Sequence, residues 1–212
     1  RGCGGLEGSE EGDESRAAGP LDGFRFDLSA PRWTYRSSGI ANPAPVVDDD
    51  GNVYLVERET GQVVSLDRSG TQRWAFNASV GLGGSVALQD GNLYACGMDG
   101  VAFALDAASG ELLWRRRVAR SCPSHPWSPT VAGGKLLVAG HTLASYLVQP
   151  PAGPEGNCEV LALDTRDGRP LWIFSVCAIL GTCSYKTALI VANGTVVFHD
   201  RAGGVHGLGL EA

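Results

Sequence analysis

The sequence predicts an all-β protein built from about four repeated, four-stranded antiparallel units. Three features predict this fold: frequent turn residues, tryptophans at regular intervals and short β-rich runs. The 212 residues include 30 glycines and 11 prolines, more than an average chain contains, and 43% are hydrophobic, which is enough for a packed core. The β-rich runs are separated by Asp-Gly and Ser-Gly pairs, which are typical of tight hairpin turns.

Four tryptophans set the length of the repeat. Trp33, Trp74, Trp114 and Trp172 are separated by 41, 40 and 58 residues. The segments that end on them align as FDLSAPRW, SLDRSGTQRW, ALDAASGELLW and ALDTRDGRPLW. A period of about 40 residues, made of short strands, fits a four-stranded sheet better than a helical hairpin.

The repeat domain is predicted to cover residues 21–212, and its units can be located in order. Segments 44–76, 83–118 and 127–176 are complete units, and 185–212 supplies the first three strands of a fourth. Segment 24–36 resembles an isolated outer strand. The second unit is the clearest, with strands predicted at 83–88, 93–97, 101–106 and 111–118.

Residues 1–20 differ from the rest of the chain. They contain five acidic residues, six glycines and almost no apolar side chain. This composition predicts a solvated, disordered linker. It also suggests that another domain lies upstream.

The motif A-x-D-x-x-x-G-x-x-x-W is intact in the second and third units. It is formed once by Ala104, Asp106, Gly110 and Trp114, and once by Ala162, Asp164, Gly168 and Trp172. This motif resembles the repeat of the pyrroloquinoline quinone (PQQ) family, the β-propellers of quinoprotein dehydrogenases and their non-catalytic relatives. The resemblance covers about residues 24–212.

The resemblance implies that the motif docks adjacent sheets, or blades, of a propeller. Each tryptophan packs between two blades, and the aspartate and glycine shape the turn before it. The residues themselves agree, because a buried indole removes a large apolar area from water and aspartate can cap a turn through backbone N–H groups. The expected docking residues are Trp33, Asp67, Trp74, Ala104, Asp106, Gly110, Trp114, Ala162, Asp164, Gly168 and Trp172.

The number of blades in the complete ring is open. Rings of seven or eight blades are usual in the family, so the four units favour a partial ring. The alternative is a ring of four, closed when strand 24–36 completes the last blade.

Two segments are candidates for a recognition surface. Insertion 141–157, which contains Tyr146, lengthens the third unit and has the position of a binding loop. Segment 121–129, which contains His125 and Trp127, enters a strand expected to line the central channel, where propellers bind ligands. His125 and Cys122 lack a third orienting group, so we predict no catalytic pair there.

The predicted function is a propeller module that binds a protein partner or a small ligand at one face, or that scaffolds an assembly, without catalysis. Catalytic members of the family hold calcium and PQQ and commonly have two adjacent cysteines; this chain has no adjacent cysteines, and its residues cannot be matched to the metal ligands. No catalytic residue, metal site or cofactor is therefore expected. The alternative is a fragment of a PQQ-dependent dehydrogenase that oxidises alcohols, sugars or polymers with PQQ and calcium.

Charge and hydropathy exclude two classes of partner. A net charge of −6 argues against nucleic acid binding, and no apolar run is long enough to be a transmembrane segment.

The cysteines and glycosylation motifs bear on the compartment. Six cysteines include no C-x-x-C pair; Cys177 and Cys183 are equally consistent with a disulfide and with buried thiols. Two glycosylation triplets, at Asn77 and Asn193, together with the family resemblance, favour an extracytoplasmic location.

Overall fold

The computed structural model describes residues 30–39, 44–122, 128–140, 159–175, 189–199 and 204–211. Within these ranges the chain forms strands and turns and no helix, so the all-β prediction is confirmed. No long apolar helix that could cross a membrane is found there either. The chain divides into two compact units, Arg1–Arg32 and Trp33–Ala212, and all the strands below belong to the second.

The described strands form four antiparallel sheets, three with four strands and one with three. Sheet 1 comprises β1 (Val46–Val47), β2 (Val53–Glu57), β3 (Gln62–Leu66) and β4 (Gln72–Asn77). Sheet 2 comprises β5 (Ala87–Gln89), β6 (Asn92–Cys96), β7 (Val101–Asp106) and β8 (Leu112–Arg117). Sheet 3 comprises β9 (Thr130–Ala132), β10 (Lys135–Gly140), β11 (Glu159–Asp164) and β12 (Pro170–Ser175). Sheet 4 comprises β13 (Ile190–Ala192), β14 (Thr195–His199) and β15 (Val205–Gly209).

In each sheet the strands follow one another in sequence order, so every connection inside a sheet is a hairpin. The fourth strands β4, β8 and β12 each pair on one side only. They are therefore edge strands, and we call them the outer strands. The first strands contact one another: β5 contacts β9, and β9 contacts β13.

The hydrophobic core lies between the sheets. Strand β7 shows how one sheet serves two cores, because successive side chains of a strand point to opposite faces. Phe103 and Leu105 pack against sheet 1, whereas Ala102 and Ala104 pack towards sheet 3. Another core cluster joins sheets 3 and 4. Sheets 2 and 3 thus each have a neighbouring sheet on both faces.

The sheets occupy the predicted units, with one difference in the second. Its first strand was predicted at 83–88 but begins at Ala87. The backbone N–H of Ser85 donates to Ser128 Oγ, and the Ser85 hydroxyl donates to the Ala44 carbonyl. Because Ser85 bonds to segments that precede sheets 1 and 3, it does not pair with β6.

The first segment of the domain and the closure of the ring also differ from a complete propeller. Residues 30–36 of the expected outer strand 24–36 carry no strand assignment, and residues 24–29 lie outside the described part of the chain. Among the described strands, no pairing joins sheet 4 to sheet 1 or to residues 30–36. The four sheets therefore form an open series.

Candidate partner-binding surface

Each tryptophan of the repeat reaches across to the next sheet. The indole Nε1 of Trp74 donates to the Ala107 carbonyl at 3.2 Å, and that of Trp114 donates to the Thr165 carbonyl at 2.8 Å. Trp33 donates to Arg68 and Trp172 to Leu210 in the same way, at 3.0 and 3.1 Å. In the first three junctions the acceptor follows directly after the motif aspartate, so the same backbone carbonyl is used each time.

The motif glycine leaves room for the tryptophan of the preceding sheet. A Cβ atom placed on Gly110 would lie 2.6 Å from the Trp74 ring, and one on Gly168 would lie 2.6 Å from Trp114. Gly70 has the same relation to Trp33. The sequence predicts that each motif glycine shapes the turn before the tryptophan of its own repeat. The positive φ of these glycines is the backbone conformation that forms this turn. The close approach of an indole from another repeat could not be read from one repeat alone.

The motif alanine leaves room for the tryptophan of its own sheet. Ala104 pairs directly with Trp114 across the strands, and Ala162 pairs with Trp172. Ser65 takes this place opposite Trp74 in sheet 1. A larger side chain would compete with the indole on the same face of the sheet, which explains why the motif has a small residue there.

The motif aspartates cap the turn between the third and fourth strands. Asp67 Oδ1 accepts the backbone N–H groups of Ser69 and Thr71 at 2.8 and 3.0 Å. Asp164 Oδ1 accepts the N–H of Arg166, and the Arg166 guanidinium adds an ion pair at 2.6 Å. These bonds from Arg166 lower the pKa of Asp164 to about 2.

Asp106 has the same role in sheet 2. Its Oδ1 accepts the Ser109 backbone N–H at 2.7 Å, and this bond lowers the pKa of the carboxyl group. The motif aspartates thus bond within their own turns.

A β-bulge precedes each of the last three tryptophans. The register of pairing shifts at the same place in sheets 1, 2 and 3, so that one extra residue of the outer strand is left without a partner across the strands. This bulged residue is Arg73 in sheet 1, Leu113 in sheet 2 and Leu171 in sheet 3. A bulge redirects its side chain, and here it lies beside the docking indole.

The bulged residue fills the groove between sheets 1 and 2. The Arg73 guanidinium donates to Ser65 Oγ at 3.1 Å and to the Tyr54 hydroxyl at 3.3 Å in its own sheet. It also donates to the Ala108 carbonyl of sheet 2 at 3.2 Å. These hydrogen bonds cross the groove and pair the Arg73 guanidinium with two hydroxyl groups of sheet 1 and a backbone carbonyl of sheet 2.

A cavity of about 550 Å³ lies beside Leu171 and Trp172, where sheets 3 and 4 meet and where the described residues end at Glu211. We call this cavity the open groove. Lys135 and Glu211, 2.8 Å apart, form an ion pair on its wall. Its lining combines two apolar side chains, Leu171 and Trp172, with charged groups of both signs, and its volume is in the range of ligand pockets.

Exposed apolar side chains lie on two of the outer strands. Leu112 and Leu113 of β8 are 45% and 51% exposed, and Leu171 and Ile173 of β12 are 48% and 47% exposed. The exposed residues Arg115, Arg116 and Arg117 follow the leucines on β8. We call this surface, together with the open groove, the outer-strand surface. Its apolar and basic side chains border backbone edges that have no strand partner.

A buried carboxylate outside the motif is also used structurally. Glu57 is 1% exposed, and it accepts hydrogen bonds from the backbone N–H of Ser38 at 3.1 Å and from the Thr60 hydroxyl at 3.1 Å. It thereby ties segment 33–39 to sheet 1.

The three residues expected to form a recognition surface, His125, Trp127 and Tyr146, lie outside the described residues. Cys122, considered beside His125, forms a disulfide with Cys96, so its sulfur is not a free thiol. No sequence pattern predicted this pair, because 26 residues and a sheet boundary separate the two cysteines. Cys177 and Cys183 also lie outside the described residues.

No group of three or more His, Cys, Asp or Glu side chains that could hold a metal ion is found in the part of the chain that the structure describes.

Comparison with known proteins identifies the family. A model of a PQQ-repeat family, described as outer membrane protein assembly factor BamB, matches residues 59–211. The chain belongs to this family. The matched region contains most of the described sheets. No curated protein matches the chain in sequence.

Solved structures match the fold of this PQQ-repeat chain. BamB from Moraxella catarrhalis has a TM-score of 0.60 and 18% identity, over 84% of this chain and 49% of that one. A quinohemoprotein alcohol dehydrogenase from Comamonas testosteroni has a TM-score of 0.52 and 22% identity, over 65% and 21%. The computationally designed Ika4 protein has a TM-score of 0.60 and 13% identity, over 82% and 93%. The chain thus spans about half the length of the BamB structure, and these matches establish the propeller fold alone.

Proposed function

We propose that this chain is a non-catalytic PQQ-repeat propeller module that binds another protein through the outer-strand surface. The observation that carries the proposal is the row of exposed apolar residues on β8 and β12, which ends at the open groove beside Leu171. Apolar side chains grouped on adjacent elements mark protein interaction sites. The family description as an outer membrane protein assembly factor supports a role in assembly.

The chemistry of the surface favours a protein partner over a small ligand. The exposed apolar residues are not confined to the groove, because they also lie on the outer strand of sheet 2. Each outer strand also has one edge without a strand partner. An extended segment of a partner can form hydrogen bonds with the backbone N–H and C=O groups along this edge. An apolar anchor in the groove and acidic residues facing Arg115 to Arg117 are the features expected of such a segment.

The disulfide supports an oxidising compartment for this binding. The Cys96–Cys122 bond joins sheet 2 to the segment that leads into sheet 3. Disulfides persist outside the cytosol and are rare within it. We therefore place the module in an extracytoplasmic space.

The test uses chemical cross-linking in the cell that makes the protein, followed by reconstitution. Partners cross-linked to the tagged full-length protein are identified by mass spectrometry, purified and titrated against it in vitro. We expect the double variant Leu113→Asp/Ile173→Asp to lose most of the affinity for the purified partner. The control Ala75→Asp places one aspartate on exposed β4 and should bind as the unaltered protein does.

Two results would contradict the proposal. The first is equal affinity of the double variant, the control and the unaltered protein for the purified partner. The second is stoichiometric uptake of added PQQ and calcium with dye reduction by alcohols, which would instead establish a dehydrogenase. Thermal unfolding of each variant shows whether the substitutions leave the fold intact.

A further inference from the structure

We propose that Asn77 and Asn193 are N-glycosylation sites, which take an oligosaccharide when the chain passes through a eukaryotic secretory compartment. Both residues begin an N-x-S/T triplet, Asn77-Ala78-Ser79 and Asn193-Gly194-Thr195. Such triplets also arise by chance in sequences. The geometry of the two asparagines and the disulfide support modification here.

Asn77 presents its side-chain nitrogen to solvent. It is the last residue of β4 and is exposed. Its Oδ1 accepts the backbone N–H of Ser79 at 2.7 Å, so the carboxamide is held by the hydroxyl residue of its own triplet. In the described part of the chain, Nδ2 donates no hydrogen bond to protein, and a glycan there replaces no native contact.

Asn193 lies in the tight turn between β13 and β14. Its φ is 49° and that of Gly194 is 70°, the pattern of a type I′ hairpin, in which Asn-Gly is favoured. The Asn193 side chain is exposed and makes no hydrogen bond within the described residues. A glycan at this turn would extend into solvent without disturbing the strands.

The disulfide provides an independent observation. Bonds such as Cys96–Cys122 form in the oxidising lumen of the secretory pathway, the compartment in which N-linked glycans are added. A chain that gains this disulfide in a eukaryotic cell therefore meets the glycosylation machinery as well.

Asn193 lies near the open groove. The Leu210 N–H donates to the Gly194 carbonyl of its turn at 2.8 Å, and the Leu210 carbonyl accepts the Trp172 indole N–H beside the groove. Asn77 lies at the opposite end of β4 from the capped turn at Asp67. The sequence from 87 to 175, which spans sheets 2 and 3, contains no N-x-S/T triplet.

The covalent step transfers an oligosaccharide from a lipid pyrophosphate carrier. The Asn Nδ2 forms a bond to the anomeric carbon of the first sugar, and the bond from that carbon to the phosphate oxygen breaks. The lipid pyrophosphate leaves with the electron pair, and one Nδ2 proton passes to a base of the transferase. No oxidant or reductant takes part.

The experiment directs the full chain into the secretory pathway of a eukaryotic host and treats the secreted protein with peptide N-glycosidase. This enzyme converts each glycosylated asparagine to aspartate, which peptide mass spectrometry detects. We expect conversion at both Asn77 and Asn193 and two stepwise losses of mass. The same chain made in the cytosol should show neither.

Matched variants separate glycosylation from folding. Thr195→Val removes the hydroxyl group but keeps the branched shape, and should abolish modification at Asn193, whereas Thr195→Ser keeps the triplet and should retain it. Asn77→Asp keeps the oxygen that accepts the Ser79 N–H and should lose one glycan. An unmodified asparagine in secreted, disulfide-bonded protein overturns the assignment of that residue.

Discussion

The junctions between sheets 1 and 2 and between sheets 3 and 4 share the same docking hydrogen bond but differ in the side chain beside it. In both, an indole N–H donates to a backbone carbonyl of the next sheet, at 3.2 Å for Trp74 and 3.1 Å for Trp172. The bulged residue before each tryptophan differs. Arg73 crosses its groove with hydrogen bonds, whereas Leu171 borders an open cavity.

This difference in the bulged residue indicates that docking between sheets and binding of a partner depend on different residues of the repeat. Docking depends on the motif residues, which contact one another in the same way at successive junctions. The proposed binding depends on the bulged position, which the motif leaves variable: it is Arg73 in sheet 1, Leu113 in sheet 2 and Leu171 in sheet 3.

The docking tryptophans should matter most for stability. Trp74→Ala should lower the free energy of unfolding by about 3 to 5 kcal/mol, because its ring packs over the turn at Gly110. Trp172→Ala should cost about 2 kcal/mol, since the open cavity already borders its ring. Urea unfolding followed by circular dichroism measures both. Equal losses would show that the cavity does not weaken docking at the second junction.

The disulfide should stabilise the junction between sheets 2 and 3. Replacing both Cys96 and Cys122 with alanine should cost about 2 to 4 kcal/mol, because the unfolded chain gains freedom. Thermal unfolding with and without a reductant checks this. The reductant should lower the Tm of the unaltered protein and leave that of the double variant in place; an equal shift in both would mean that the bond contributes nothing.

The close approach of glycine to tryptophan should be visible in a matched pair. Gly110 and Gly91 have nearly the same φ, 76° and 74°, so alanine should cost about 1 kcal/mol at each through backbone strain. Gly110→Ala should lose about 1 to 3 kcal/mol more, because its Cβ would overlap the Trp74 ring. A Cβ on Gly91 meets no atom within 4 Å. If chemical denaturation shows that the two alanine variants lose the same free energy of unfolding, overlap of a Cβ atom with the Trp74 ring contributes nothing.

Exchanging the bulged residues should exchange the properties of the two grooves. Arg73→Leu should cost about 1 to 2 kcal/mol, because the buried Ser65 hydroxyl loses its partner. Leu171→Arg should change stability by no more than about 0.5 kcal/mol and should abolish binding of the partner identified by cross-linking. Isothermal titration measures the affinity. If Leu171→Arg binds the partner as tightly as the unaltered protein does, the binding site lies outside the groove.

The smallest effect should be the pH dependence of the capped turn in sheet 3. The pKa of Asp164 is lowered from 3.8 to about 2 by its bonds from Arg166, so its contribution is complete above pH 3.8 and is lost as the pH falls towards 2. In urea unfolding from pH 5 to 2, Asp164→Asn should lose less stability on acidification than the unaltered protein. Parallel curves for the two proteins would assign the acid sensitivity to other carboxyl groups.

Local patterns made the sheets predictable. Alternating apolar residues and Asp-Gly or Ser-Gly turns within each unit place β6 and β7 to within a residue, because hairpins depend on neighbours in sequence. The start of β5 was less predictable, since Ser85 bonds to Ser128 and Ala44, which lie more than forty residues away. Long-range bonds of this kind leave no local pattern.

The candidate surface was harder to predict than the fold. An insertion and a proline-rich corner in the sequence predicted His125, Trp127 and Tyr146, which stay a prediction because they lie outside the described residues. The residues Leu171 and Arg73, which distinguish the two grooves, carry no motif. Their meaning depends on the bulge beside them, and a bulge is a property of pairing between strands.

Spacing within one unit of about 40 residues was enough to predict the repeat and the strands. Contacts between units show which tryptophan each motif glycine accommodates and that Cys96 joins Cys122. These features arise where two sheets meet, and the residues that meet there come from units far apart in the chain.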